Sequence, residues 1–212
     1  MKIHYYSGWF EAFPKQMVEL FHNDILDRKS IAIIWGWLPK EPLSSIKDQY
    51  FDPISIVFDE YHLIDSSMPK EIAHQSLRDA SVIFLMGGYT ILQNAFLMEY
   101  DLAMPIKESR AAVVIGLSAG AKNMAAKCIC MKSNGYNTEK NGVFDGLGLN
   151  NFCYEPYFTL DNDELLKNEL LPLSKELDVY ATSDGSFIRV ENGEVAAYGD
   201  TYLISCGEDH KI

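Results

Sequence analysis

The chain has 212 residues, 48% of them hydrophobic, and a formal net charge of −12. That length and apolar content suffice for one buried core, so a single α/β domain over residues 1–212 is expected. The acidic surplus offers no attraction to nucleic acid or to an anionic membrane, and neither is expected as a partner.

No apolar run reaches the roughly eighteen residues of a membrane span, and the N-terminal MKIHYYSGWF lacks the apolar core of a secretory signal. A cytoplasmic protein is therefore expected. Cys128, Cys130, Cys153 and Cys206 match neither a CxxC motif nor a zinc spacing. They read as free thiols, and neither a metal nor a cofactor is expected.

In chain order, KIHYY (2–6) reads as a strand and is followed by a helix from about Phe10 to Ile25, with Pro14 near its first turn. SIAIIW (30–35) is a second strand, leading into a loop with Pro39 and Pro42. SSIKDQYF is a weaker helix, YHLID (61–65) a third strand, and Met68 to Leu77 a helix. SVIFLM (81–86) and AAVVIGL (111–117) are apolar runs suited to strands buried on both faces. A helix from Ile91 to about Tyr100 separates them, and another follows Ser118. This alternation predicts a three-layer, doubly wound, mostly parallel sheet. Further on, KCICM reads as a short strand, GVFDGLGL (142–149) is punctuated by glycine, and residues 162–177 form an amphipathic helix that Pro172 splits. The tail reads as short strands with a hairpin at Asn192-Gly193, placed antiparallel at the C-terminal edge of the sheet.

The chemistry concentrates at Gly116-Leu117-Ser118-Ala119-Gly120, a G-x-S-x-G string between a strand and a helix. That context suits a nucleophile elbow, in which small neighbours let a serine stand on a sharp turn. Glycines that merely allow close helix–strand packing are the competing explanation. MGGYT (86–90) supplies a second glycine turn, and parallel strands bring both turns to the carboxyl edge, where ligands bind.

The strings GLSAGA, FLMGGYT and FDGLGL together resemble the dipeptidase E and cyanophycinase family of serine peptidases. The likeness runs from about Ser81 to Gly199, and more loosely over the N-terminal strands. It implies a class I glutamine-amidotransferase-like fold. It also implies Ser118 as nucleophile, the Gly88 and Ala119 amides as oxyanion hole, and Asp184 as the acidic triad member. The family's histidine position is occupied here by Tyr157, in YEPYF, and the family's GGNT is GGYT, which puts Tyr89 beside the substrate. A tyrosine near pKa 10 is a poor proton acceptor at neutral pH. Two functions follow: a serine-type hydrolase of short peptides or a related amide with impaired or altered catalysis, or an inactive relative that binds a small ligand or protein partner. The oligomeric state is left open, a homodimer included.

None of His4, His22, His62, His74 and His210 falls between Ser118 and Asp184 in the chain. Lys122, one helical turn after Ser118, is read as solvated or paired with an acid rather than as a desolvated base. Asp161, Asp163 and Glu164 read as first-turn helix acids. Trp9, Trp35 and Trp37 are either core residues or part of a pocket wall at the carboxyl edge. Members of the family favour aspartyl substrates. The four arginines (Arg28, Arg78, Arg110, Arg189) lie outside the motif turns, so a neutral or aromatic ligand is expected here.

Overall fold

The computed structural model describes residues 2–35, 43–134 and 141–212. Trp37, Pro39 and Pro42 lie outside the described residues. The main sheet has seven strands: β1 (Ile3–Ser7), β2 (Ser30–Ile34), β3 (Glu60–Ile64), β4 (Val82–Leu85), β5 (Val113–Leu117), β10 (Phe187–Glu191) and β11 (Glu194–Tyr198), in the order β11-β10-β1-β5-β4-β2-β3. The five strands from β1 to β3 are mutually parallel, and β10 and β11 run antiparallel at one edge, as the alternation of elements predicts.

Side-chain alternation splits the strand residues between two cores. Ile31, Ile33, Phe84 and Ile115 meet Met17 and Phe21 of α1 (Lys15–Asp24), together with Ile46 of α2 (Leu43–Ile46) and the aromatics of the π-helical turn Lys47–Phe51. Ala32, Ile34, Leu85 and Val114 face the other way. They pack on α3 (Lys70–Asp79), α4 (Thr90–Glu99), α5 (Ala103–Glu108) and α6 (Ala119–Met124).

A second, mixed sheet was not anticipated. It contains β6 (Ala125–Cys130), β7 (Gly142–Asp145), β8 (Asn150–Pro156), β9 (Val179–Thr182), β12 (Thr201–Ser205) and β13 (Glu208–Lys211), in the order β13-β12-β9-β8-β6-β7. The C-terminal strands are thus divided between two sheets. The Asn192-Gly193 hairpin does extend the main sheet, both residues having positive φ (53° and 83°), as a tight two-residue turn requires.

Three helices differ from expectation for local reasons. Pro14 caps α1 in an extended conformation, so the helix starts at Lys15 rather than Phe10. α6 lasts six residues before the chain turns directly into β6. The segment expected as one helix over 162–177 is a π-helix (Glu164–Leu170) followed by α7 (Leu171–Leu173), which contains Pro172. Its first turn is held by Asn162, whose Oδ1 accepts the Leu165 N–H at 3.1 Å, while Asp163 pairs with Lys167.

Candidate active site

β4 and β5 are adjacent and parallel, so the turns that follow them open on the same edge of the sheet. Ser118 occupies the second turn at φ 49° and ψ −107°, a conformation that non-glycine residues adopt at a cost of about 1–3 kcal/mol. Its N–H donates to the Ser7 carbonyl at 2.7 Å, and its carbonyl already accepts the Lys122 N–H at 3.0 Å. The glycines of the string have distinct steric duties. A Cβ at Gly116 would lie 2.5 Å from the Met124 sulfur, and one at Gly120 would lie 2.2 Å from the Leu85 carbonyl oxygen. Both let α6 sit close against the sheet. A Cβ at Gly87 would lie 3.5 Å from that of Ser118, so the two turns are neighbours.

Behind the first turn stands a buried amide cluster that the sequence reading missed. Asn123 donates to Gln93 Oε1 at 3.0 Å and to the Thr90 carbonyl at 3.2 Å, and it accepts from Asn94 at 2.8 Å. Gln93 in turn donates to the Met86 carbonyl at 2.8 Å. Both ends of the Met86–Thr90 turn are thereby tied to α4 and α6. Amides on the buried side of a largely apolar helix were the available signal.

Ser118 and Gly88 line a cavity of about 250 Å³. Tyr89, Ile91 and Leu92 form one wall, Cys130, Met131 and Asn134 another, and Tyr157 closes a side. Tyr157 itself has φ 61°, and its hydroxyl accepts the Trp9 N–H at 2.6 Å. On its other side it lines an open groove of about 540 Å³ with Trp9, Phe10, Glu11 and Asp184. Of the residues singled out in the sequence, the fold brings Ser118, Gly88, Tyr89 and Tyr157 around one space. Ala119 is fully buried at the start of α6. Asp184 is exposed and sits in the groove, beyond the tyrosine. Among the described residues, no side chain hydrogen-bonds the Ser118 hydroxyl, and none of the five histidines lines the cavity. Trp9 belongs to the groove, and Trp35 packs against the core beneath α1 rather than into the cavity.

Lys122 reaches the cavity from α6 with its side chain only 7% exposed, and it meets the fully buried Glu155 at 2.7 Å. The acid-paired expectation for this lysine holds, and the solvated one does not. Burial pulls its pKa down, but the facing carboxylate and its hydrogen bond outweigh that, and the ammonium titrates above the usual lysine range. That direction disfavours Lys122 as a proton acceptor. Asn134 also donates to Glu155 and to the Pro156 carbonyl at 3.1 Å. The turn that carries it is pinned by the Ser133 hydroxyl donating to Glu169 at 2.9 Å. Cys128, Cys130, Cys153 and Cys206 are all unbridged.

Residues 42–198 match the profile of Peptidase family S51. The chain belongs to this family. Peptidase E of Salmonella arizonae is 27% identical over 94% of this chain and 90% of that protein. Peptidase E of Citrobacter koseri is 32% identical over 63% of each. A Listeria monocytogenes EGD-e protein designated Peptidase E superposes with a TM-score of 0.66 at 18% identity, covering 94% of this chain and 98% of that one. A peptidase from an acI-B1 actinobacterium gives a TM-score of 0.66 at 14% identity, covering 100% and 94%. The fold is therefore that of these solved structures, and membership of Peptidase family S51 supports a peptidase-like hydrolase. Among the described residues, no helix is long and apolar enough to cross a membrane.

Proposed function

We propose that residues 1–212 act as one serine-type hydrolase domain for short peptides or a related amide. Ser118 serves as nucleophile, the Gly88 and Ala119 amides receive the developing oxyanion, and Tyr89 lines the substrate space. The backbone of Ser118 carries this reading, because it holds a non-glycine residue in a strained turn at the wall of a cavity. Catalysis is slow in this reading. Tyr157 stands at the base position and Asp184 lies beyond it, so neither takes the serine proton readily. One observation favours a second reading, a binding protein without turnover: the Ser118 hydroxyl has no hydrogen-bonding side chain among the described residues.

A fluorophosphonate probe separates the two. The expected result is slow labelling of Ser118, abolished by Ser118→Ala and accelerated by about 10² or more in Tyr157→His, within the range that a general base contributes. Absence of labelling in both the native protein and the Tyr157→His variant would replace the hydrolase by the binding protein.

A further inference from the structure

We infer that Lys122 and Asn134 form a side-chain subsite beside Ser118 that selects a neutral carboxamide, as in an asparaginyl or glutaminyl residue, over a carboxylate. This deepens the hydrolase reading and rests on it only for where the substrate sits.

The donors come first. An ammonium has three N–H groups. Among the described residues, Lys122 spends one, on Glu155 Oε1. Its side chain is more than nine-tenths buried and faces the cavity. Buried donors left unspent are costly, and a substrate oxygen satisfies them. The acceptor is Asn134. Among the described residues, its two side-chain hydrogen bonds both use Nδ2, toward Glu155 and Pro156, which leaves Oδ1 to accept at the same cavity. A carboxamide complements this pair, its carbonyl taking a Lys122 N–H and its NH₂ donating to Asn134.

Charge decides against the carboxylate. The Lys122 ammonium is matched by the Glu155 carboxylate at 2.7 Å, and the ion pair adds no net charge. No arginine lines the cavity. An acidic side chain would enter the cavity with no unmatched cation among the described lining residues to offset its charge, and its second oxygen would face the Asn134 oxygen.

The test uses the Ser118→Ala protein, in which binding is read without turnover, and calorimetric titration with Asn-Leu, Asp-Leu and Leu-Leu at neutral pH. Asn-Leu is expected to bind at least about tenfold more tightly than either of the others. Adding Glu155→Gln unmasks the Lys122 charge and should reverse the order of Asn-Leu and Asp-Leu. Adding Asn134→Leu, at a half-buried position, removes the acceptor for the amide NH₂ and the oxygen that faces the second carboxylate oxygen, so it should weaken Asn-Leu and narrow its advantage over Asp-Leu. Equal binding of the three dipeptides, tighter binding of Asp-Leu before Glu155 is changed, or an unaltered Asn-Leu preference in the Asn134→Leu protein would each overturn the inference. The hydrolase reading is judged separately by probe labelling of Ser118.

Discussion

Trp9 and Gly8 are among the residues that hold Tyr157. Its hydroxyl takes the Trp9 N–H, and its ring lies so close to Gly8 that a Cβ there would come within 2.9 Å of ring carbon Cε1. Its positive φ is a conformation that histidine tolerates better than most residues. The Trp9 amide is exposed, so water replaces the lost acceptor when the phenol is removed. Tyr157→His should therefore leave stability within about 1 kcal/mol of the native protein in urea unfolding. A loss well beyond that would mean that the ring is structurally required, and would weaken any kinetic comparison between the two proteins. That a tyrosine stands in YEPYF, where the resemblance would put a histidine, is legible from the sequence. The bond to Trp9 and the gap at Gly8 are not, because they join residues about 150 positions apart.

The elements around Ser118 were readable because each announces itself locally. VIFL and VVIGL are continuous apolar runs, and the small residues after them leave room for a tight turn. The steric requirement at Gly120 gives a direct check. A methyl there meets the Leu85 backbone oxygen rather than a side chain that can swing away. Gly120→Ala should cost about 1–3 kcal/mol in denaturant unfolding, the range for overpacking a close-packed interior. An unchanged midpoint would show that α6 can slide on the sheet. What local pattern could not show is the partner of a strand. β9 and β10 lie in one stretch of similar composition, yet they join different sheets. The Lys122–Glu155 pair was hidden for the same reason. Its members are 33 residues apart and meet only because β6, which follows α6 directly, pairs in parallel with β8.

At the scale of the whole molecule, the two sheets are joined by a part-buried polar contact. Asn150, at the start of β8, accepts from the Tyr6 hydroxyl at 2.7 Å and from His4 Nδ1 at 2.7 Å, both of these residues lying on β1. Because Oδ1 only accepts, Nδ1 carries the imidazole proton, and Nε2 is left buried with no hydrogen-bond partner among the described residues. Protonating Nε2 would bury a charge there. Burial, joined by the nearby Lys2 and opposed by the Asn150 bond, holds the His4 pKa below the ordinary histidine value. The sign follows from linkage. The unfolded imidazole takes up a proton as pH falls through about 6.5, whereas the folded one does so only at lower pH. Over that window the unfolded chain binds more protons, and stability drops with acidification at up to about 1.4 kcal/mol per pH unit from this group. Urea unfolding between pH 7.5 and 5.5 should show that decline, and His4→Gln, which cannot titrate, should flatten it whatever its own effect on absolute stability. An equal slope in the two proteins would place the pH sensitivity elsewhere, and would remove His4 as the acid-sensitive link between the sheet that carries Ser118 and the sheet that carries Glu155.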